Sequence, residues 1–180
     1  VIFTVFQFLI RNRNFQFHLM DTRKHSFEYH SYPDSAALPT ADLRLLEEAR
    51  EVTAQAYAPY SNFYVGAAIL LANGIVVRGT NQENASFPAG ICAERVALST
   101  AASLYPGVPI LTIAVSYHNP NGSNDSPISP CGICRQTLSE YEGRQQQSIR
   151  IIMGGQNGKV FVIQTIRHLL PLAFTAEDMQ

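Results

Sequence analysis

The segment Pro130-Cys131-Gly132-Ile133-Cys134 constrains this chain more than any other, because two cysteines three positions apart behind a proline must share one face if a helix starts there. A third cysteine, Cys92, opens Cys92-Ala93-Glu94-Arg95 well upstream. Three cysteines cannot all pair, and a secreted disulfide framework would show more of them in even number. The pattern reads as a metal site in a reducing, cytoplasmic setting; the alternative is three buried thiols packing as small hydrophobes. Two helix starts aimed at one point would set three sulfurs around a tetrahedral zinc and leave a fourth position open, the mark of a catalytic rather than a structural site. The histidines offer no obvious fourth ligand, since His18, His25 and His30 fall in an N-terminal tail and His118 and His168 stand alone.

Glu94 lies two residues beyond Cys92, where a carboxylate can take a proton from an attacking water and pass it to a substrate. A non-ligand glutamate followed by P-C-x-x-C is the signature of zinc deaminases, and it is far more specific than C-x-x-C alone. Three thiolates on Zn²⁺ leave a net negative charge and a weaker Lewis acid. Arg95 and Arg135 each follow this machinery directly and can donate to the sulfurs, the bland alternative for each being a surface ion pair. The role of donating to the ligand sulfurs and drawing charge from them is assigned to Arg95.

Periodicity supplies the frame. Leu43, Leu46, Ala49, Val52 and Ala56 recur at helical steps after Thr40, a candidate N-cap, and Pro59 ends the helix. Tyr64 to Leu71 and Ile75 to Thr80 read as strands joined through Asn73-Gly74. Ala93 to Leu104 is helical, Leu111 to Tyr117 a buried strand, and Asn119 to Ser129 a loop rich in Asn, Ser, Pro and Gly. Cys131 to Tyr141 is helical, Arg150 to Met153 and Lys159 to Ile163 are strands, and Thr165 to Leu170 is a short last helix. This order predicts one α/β domain over 41–180, a three-layer α/β/α sandwich with a mixed five-stranded sheet. Residues 1–40 read as a poorly ordered tail, with 1–19 non-native because the first methionine is Met20. The apolar run Val1 to Ile10 is too short to span a bilayer, which takes about 20 helical residues. A net charge of -1 argues against a phosphate-gripping surface, so neither nucleic acid nor membrane is an expected partner.

With these motifs in place, the chain resembles the small homotetrameric, zinc-dependent cytidine deaminases from about Leu43 to Asp178. Further matching segments are Tyr57-Ala58-Pro59-Tyr60-Ser61-Asn62-Phe63, Val65-Gly66-Ala67-Ala68, Asn81-Gln82-Glu83-Asn84-Ala85 and Leu169-Leu170-Pro171-Leu172-Ala173-Phe174. The resemblance implies one Zn²⁺ per subunit on Cys92, Cys131 and Cys134, with Glu94 as the acid/base. It further implies ribose contacts from Asn81 and Glu83, base packing by Phe63, and a base-carbonyl contact from the backbone N–H of Ala93. Phe174 would reach a neighbouring subunit's site in a homotetramer, with Tyr60 and Phe87 near subunit contacts. The implied reaction is hydrolysis of free cytidine and deoxycytidine to uridine and deoxyuridine with release of ammonia, as in pyrimidine salvage. Three rivals are a nucleotide or nucleic-acid deaminase, a blasticidin-type deaminase and a non-enzymatic zinc module.

Overall fold

The structure, a computed structural model, describes residues 21–179; the reading of 1–19 as non-native lies outside them. Six strands form one mixed sheet: β1 (His30–Tyr32), β2 (Tyr64–Leu71), β3 (Val76–Thr80), β4 (Ile110–His118), β5 (Arg150–Gly154) and β6 (Val160–Ile163). Their order across the sheet is β1-β6-β5-β4-β2-β3. Only β4 and β5 are parallel neighbours. Among the described residues three α-helices cover the sheet: α1 (Thr40–Val52), α2 (Ala93–Leu104) and α3 (Gly132–Gln145).

Alternation along the strands sorts the core into two layers. Ala67 and Ile69 of β2 and Ile113 and Val115 of β4 pack with Ala97 and Leu98 of α2 and Leu138 of α3. Their neighbours Ala68 and Ala114 point the other way, onto Leu45, Leu46 and Ala49 of α1. Both faces of β4 are therefore covered, which explains why its sequence reads as a continuous apolar run. The β2–β3 hairpin turns as expected at Asn73-Gly74, where Gly74 takes a φ of 84°.

The sheet has six strands rather than the expected five. The additional strand is His30–Tyr32, which pairs antiparallel with Val160 to Val162 at the edge. Three residues are too few to show a period, so their pairing was invisible in the sequence. Aromatic contacts reinforce it: Tyr29 meets the Phe161 ring edge-on at 4.9 Å, and Phe27 stacks on His168 at 5.4 Å. Thr40 is also not the cap that was expected. It is the first residue of α1, Pro39 stands at the cap position, and no side chain caps the helix. The first turn is fixed instead by buried Asp42, which accepts two hydrogen bonds from the Arg150 guanidinium at 2.7 and 3.1 Å. The last expected helix is a 3-10 turn, Ile166–Leu169, capped by the Thr165 hydroxyl.

Glu142, on α3, is a buried carboxylate that joins these parts. It accepts from the Ile149 and Ile166 N–H groups at 2.9 and 3.2 Å and from the Thr165 hydroxyl at 2.5 Å. Replacing it with alanine would leave two buried N–H groups and the part-buried Thr165 hydroxyl without that partner. Glu142→Ala should cost about 2–4 kcal/mol of unfolding free energy, at roughly 1–3 kcal/mol for each stranded group less what relaxation recovers. Urea denaturation checks this, and a midpoint equal to the parent's would show that the network is dispensable.

Candidate metal centre and active site

β3 and β4 flank β2 and both run antiparallel to it, so they point the same way. Each delivers the chain to the same end of the sheet, and the helix that follows each starts at that end. Cys92 is the residue before α2 and Cys131 the residue before α3, both in extended backbone. Neither makes a side-chain capping bond, so the sulfurs are free to point inward from the positive ends of two helix dipoles. Cys134, one turn into α3, is fully buried and comes onto the same face as Cys131.

The sulfurs of Cys92 and Cys131 lie 3.7 Å apart and those of Cys131 and Cys134 3.4 Å apart. All three fall within 4.8 Å of one another. Zn–S bonds of about 2.3 Å in a tetrahedron put sulfurs about 3.8 Å apart, so the cluster has the size zinc requires. Among the described residues no His, Asp or Glu joins the group, which leaves one side for water or substrate. Cys134 is buried, Cys92 half-buried and Cys131 exposed, so the centre opens to solvent on the Cys131 side.

The surroundings set the protonation of the group. Hydrogen bonding from Cys134 brings the Cys92 thiol down to about 6, with smaller help from Cys131 and Arg95 and against burial and the Glu94 charge. Cys134 is pushed up, first by its bond to Cys92 and then by burial, so it keeps the proton that they share. Glu94 is only 5% exposed, and burial raises its carboxyl above the usual range, opposed by its own backbone N–H and by Cys134. Ala93, wholly buried, is the first residue of α2, so its N–H lies outside the helical ladder.

Phe63, Asn81 and Glu83 lie at the same end of the sheet. Phe63 immediately precedes β2, and its ring stacks on Tyr117 at 4.9 Å with 15° between planes. Asn81, just after β3, accepts from the Val65 N–H at 2.7 Å and donates to the Phe63 carbonyl at 2.9 Å. Glu83 accepts from the Ser61 hydroxyl at 2.5 Å and from the Tyr60 and Ser61 N–H groups at 2.9 and 3.3 Å. The Ser61 bond holds the Glu83 carboxyl below the usual range. Ser61 in turn accepts from the Phe63 N–H at 3.0 Å. Asn81 and Glu83 thus clamp the loop that presents Phe63. Tyr60 and Phe87, both exposed, meet edge-on at 5.9 Å beside a cavity of about 390 Å³ that Glu83 also lines.

Phe174 is placed elsewhere. It is exposed, its carbonyl accepts from Gln136 at 2.8 Å, and it lines a separate cavity of about 530 Å³ that includes neither Glu94 nor any cysteine. Sequence reasoning missed Ser61 and Tyr117; a Ser two residues before a ring, and a Tyr ending an apolar strand, carry no signal of their own. Arg135 makes neither the sulfur contact nor the surface ion pair weighed for it. It donates to the carbonyls of Pro130 and Leu169 and to the Ser129 hydroxyl.

Residues 39–148 match the family model described as the cytidine and deoxycytidylate deaminase zinc-binding region. The chain belongs to this family. A cytidine deaminase from Halalkalibacterium halodurans is 42% identical over 135 residues, 75% of this chain and 95% of the relative. One from Sporosarcina psychrophila is 36% identical over 137 residues, 76% and 93% of the two chains. The crystal structure of cytidine deaminase from Burkholderia pseudomallei superposes with a TM-score of 0.63 at 38% identity, covering 73% of this chain and 97% of that one. The protein is accordingly an enzyme of the cytidine deaminase type, a hydrolase, on the same α/β/α framework. No helix among the described residues is long and apolar enough to cross a membrane.

The thiolate is the reactive form of cysteine, so a lowered pKa brings reactivity at lower pH. In protein stripped of metal, carboxymethylation of Cys92 should rise through about pH 6 and level off above it, with buried Cys134 unreacted. Peptide mapping of the alkylated protein reads both outcomes; half-maximal labelling of Cys92 near pH 9 would contradict the shared-proton arrangement.

Proposed function

We propose that the enzyme binds one Zn²⁺ per subunit through Cys92, Cys131 and Cys134 and hydrolyses free cytidine and deoxycytidine to uridine and deoxyuridine, releasing ammonia. The observation that carries this reading is the cluster of three sulfurs at two helix starts with the buried Glu94 carboxyl one residue from the first helix's opening. Zinc bound there supplies the Lewis acidity that makes water a nucleophile near neutral pH.

The protein's own groups do the rest. Glu94 accepts a proton from the attacking water as the C–O bond forms at C4 of the base, and delivers it to N3. It then takes the remaining proton from the hydroxyl on C4 and passes it to the amino group, which departs as ammonia when the C–N bond breaks and the C4 carbonyl forms. A carboxyl raised by burial suits the transfer, because it takes up a proton more readily than a surface carboxylate and its charged and neutral forms lie closer in energy near neutral pH. Arg95 sits beside Cys92 and offsets part of the charge that three thiolates bring.

The N–H of Ala93 is available to the base carbonyl, and the Phe63–Tyr117 stack offers an aromatic wall to the ring. Asn81 and Glu83 have capacity beyond the loop bonds they already make. The Asn81 amide keeps a second N–H and a second lone pair, and the Glu83 carboxylate keeps further lone pairs, so each can also bond a ribose hydroxyl. With a net charge of -1 the chain suits a neutral nucleoside better than a nucleotide. Ligand thiolates must stay reduced, which fits a cytoplasmic salvage enzyme. We assign Phe174, placed away from the sulfurs of its own chain, to the site of a neighbouring subunit in a homotetramer.

The deciding assay is ammonia release from cytidine, deoxycytidine, cytidine monophosphate and blasticidin S. The first two should be turned over and the last two not; preferential turnover of either of those would replace this reading with the nucleotide or the antibiotic alternative. Glu94→Gln should keep zinc near one per chain and lose roughly 10²–10⁴ in kcat, the usual worth of a positioned acid/base. Near-parental turnover in that variant would remove Glu94 from the chemistry.

A further inference from the structure

We propose that Arg135 is a positioning residue that sets the direction of the Cys131 sulfur, a role that rests on the zinc reading above. Cys131 is the most exposed of the three thiols and stands at the end of a long irregular loop, so it is the ligand least fixed by its own secondary structure. Besides its own χ1, two backbone torsions aim it: ψ of Pro130 and its own φ, since the proline ring already fixes φ at residue 130. Both act on the single planar peptide that joins the two residues. Arg135 holds the carbonyl of that peptide, donating from Nε to Pro130 O at 2.7 Å. A second nitrogen of the same guanidinium donates to the hydroxyl of Ser129 at 3.2 Å. The third donates to the Leu169 carbonyl at 3.2 Å.

The far ends of this clamp are rigid. Arg135 follows Cys134 on α3, so the side chain that orients Cys131 springs from the same helical turn as the buried ligand. Leu169 closes the 3-10 turn that Glu142 pins to α3 through Ile166 and Thr165. No ion pair accounts for the residue, since among the described residues Arg135 has no carboxylate partner. Its three acceptors are neutral and lie in different directions. Only a planar fork meets them together, and a lysine ammonium on a flexible stem would hold one at a time.

The test is Arg135→Lys in the full chain, which keeps the charge and removes the fork. Zinc-loaded parent and variant are mixed with an excess of a chromophoric chelator, and the rate of metal transfer is followed. The variant should release zinc about tenfold faster or more, in line with the 10–100-fold typical of lost outer-sphere partners. After loading with cobalt(II), its thiolate-to-metal absorption band should shift or weaken relative to the parent, which a loss of general stability would not cause. Parental release and a parental cobalt band overturn the proposal, whatever happens to the melting temperature. If Arg135→Lys does not fold, Ser129→Ala decides: it removes one of three contacts and should give a smaller acceleration of release, and an unchanged rate overturns the role. Parent protein that holds no zinc sinks the zinc reading itself; parent that holds zinc beside an unaltered variant sinks only Arg135.

Discussion

The site depends on the common direction of β3 and β4 on either side of β2. Because those strands point the same way, the chain leaves each at the same end of the sheet, and two helix N-termini with their free N–H groups and positive dipole ends come together there. One helix start could steady one thiolate; two that converge can gather three around an ion. The approach must also be close. A Cβ on Gly79 of β3 would come within 2.5 Å of the Ala93 carbonyl and 2.4 Å of the Ala97 nitrogen, so a side chain there would push α2 off the sheet and carry Cys92 away from its partners.

Within that frame, local environment separates two neighbouring acids. Cys92 and Glu94 lie two residues apart, yet the thiol is lowered and the carboxyl raised. The thiol gains from a proton that Cys134 keeps and donates, whereas the carboxyl is buried at the second position of α2, where charge is costly. The arrangement gives the more exposed group the negative charge and leaves the buried group readier to carry a proton. The proposed roles of Cys92 as ligand and Glu94 as acid/base need those opposite properties, and the packing of one helical turn provides both.

What could be read in the sequence follows from how local each signal is. The Cys131–Cys134 spacing, the hairpin at Asn73-Gly74 and the Ala93–Leu104 helix are written in short local patterns, and the structure forms the hairpin and the helix there and brings the Cys92 sulfur to the other two. β1 was not legible because His30–Tyr32 gains its hydrogen bonds from β6, distant in the chain, and shows no pattern of its own; it also precedes residue 39, where the family match begins. Thr40 looked like a cap because a hydroxyl stood before an apolar period, but Pro39 occupies that position, and Asp42 fixes the first turn through Arg150, again from far away. Arg135 was ambiguous for the same reason. One of its acceptors lies 34 positions away at Leu169, and no spacing rule connects the two.

Asn81 and Glu83 show why residue type and motif alone describe such positions incompletely. The family resemblance implies polar groups presented to a sugar, yet in this structure each is bonded to the segment between Tyr60 and Val65, Asn81 to backbone and Glu83 to the Ser61 hydroxyl and two N–H groups. These two functions are compatible because of valence. An amide and a carboxylate each have more hydrogen-bonding capacity than one loop consumes, and the bonds already made reduce the freedom lost on meeting a ligand. The backbone they fix carries Phe63, whose ring lies nearly parallel to Tyr117. Polar contact and aromatic wall are therefore one mechanical unit: a change at Asn81 moves Phe63 as surely as it removes an amide. On the proposed function, the hold on a substrate is shared between the side chains assigned to touch it and the loop geometry those same side chains impose.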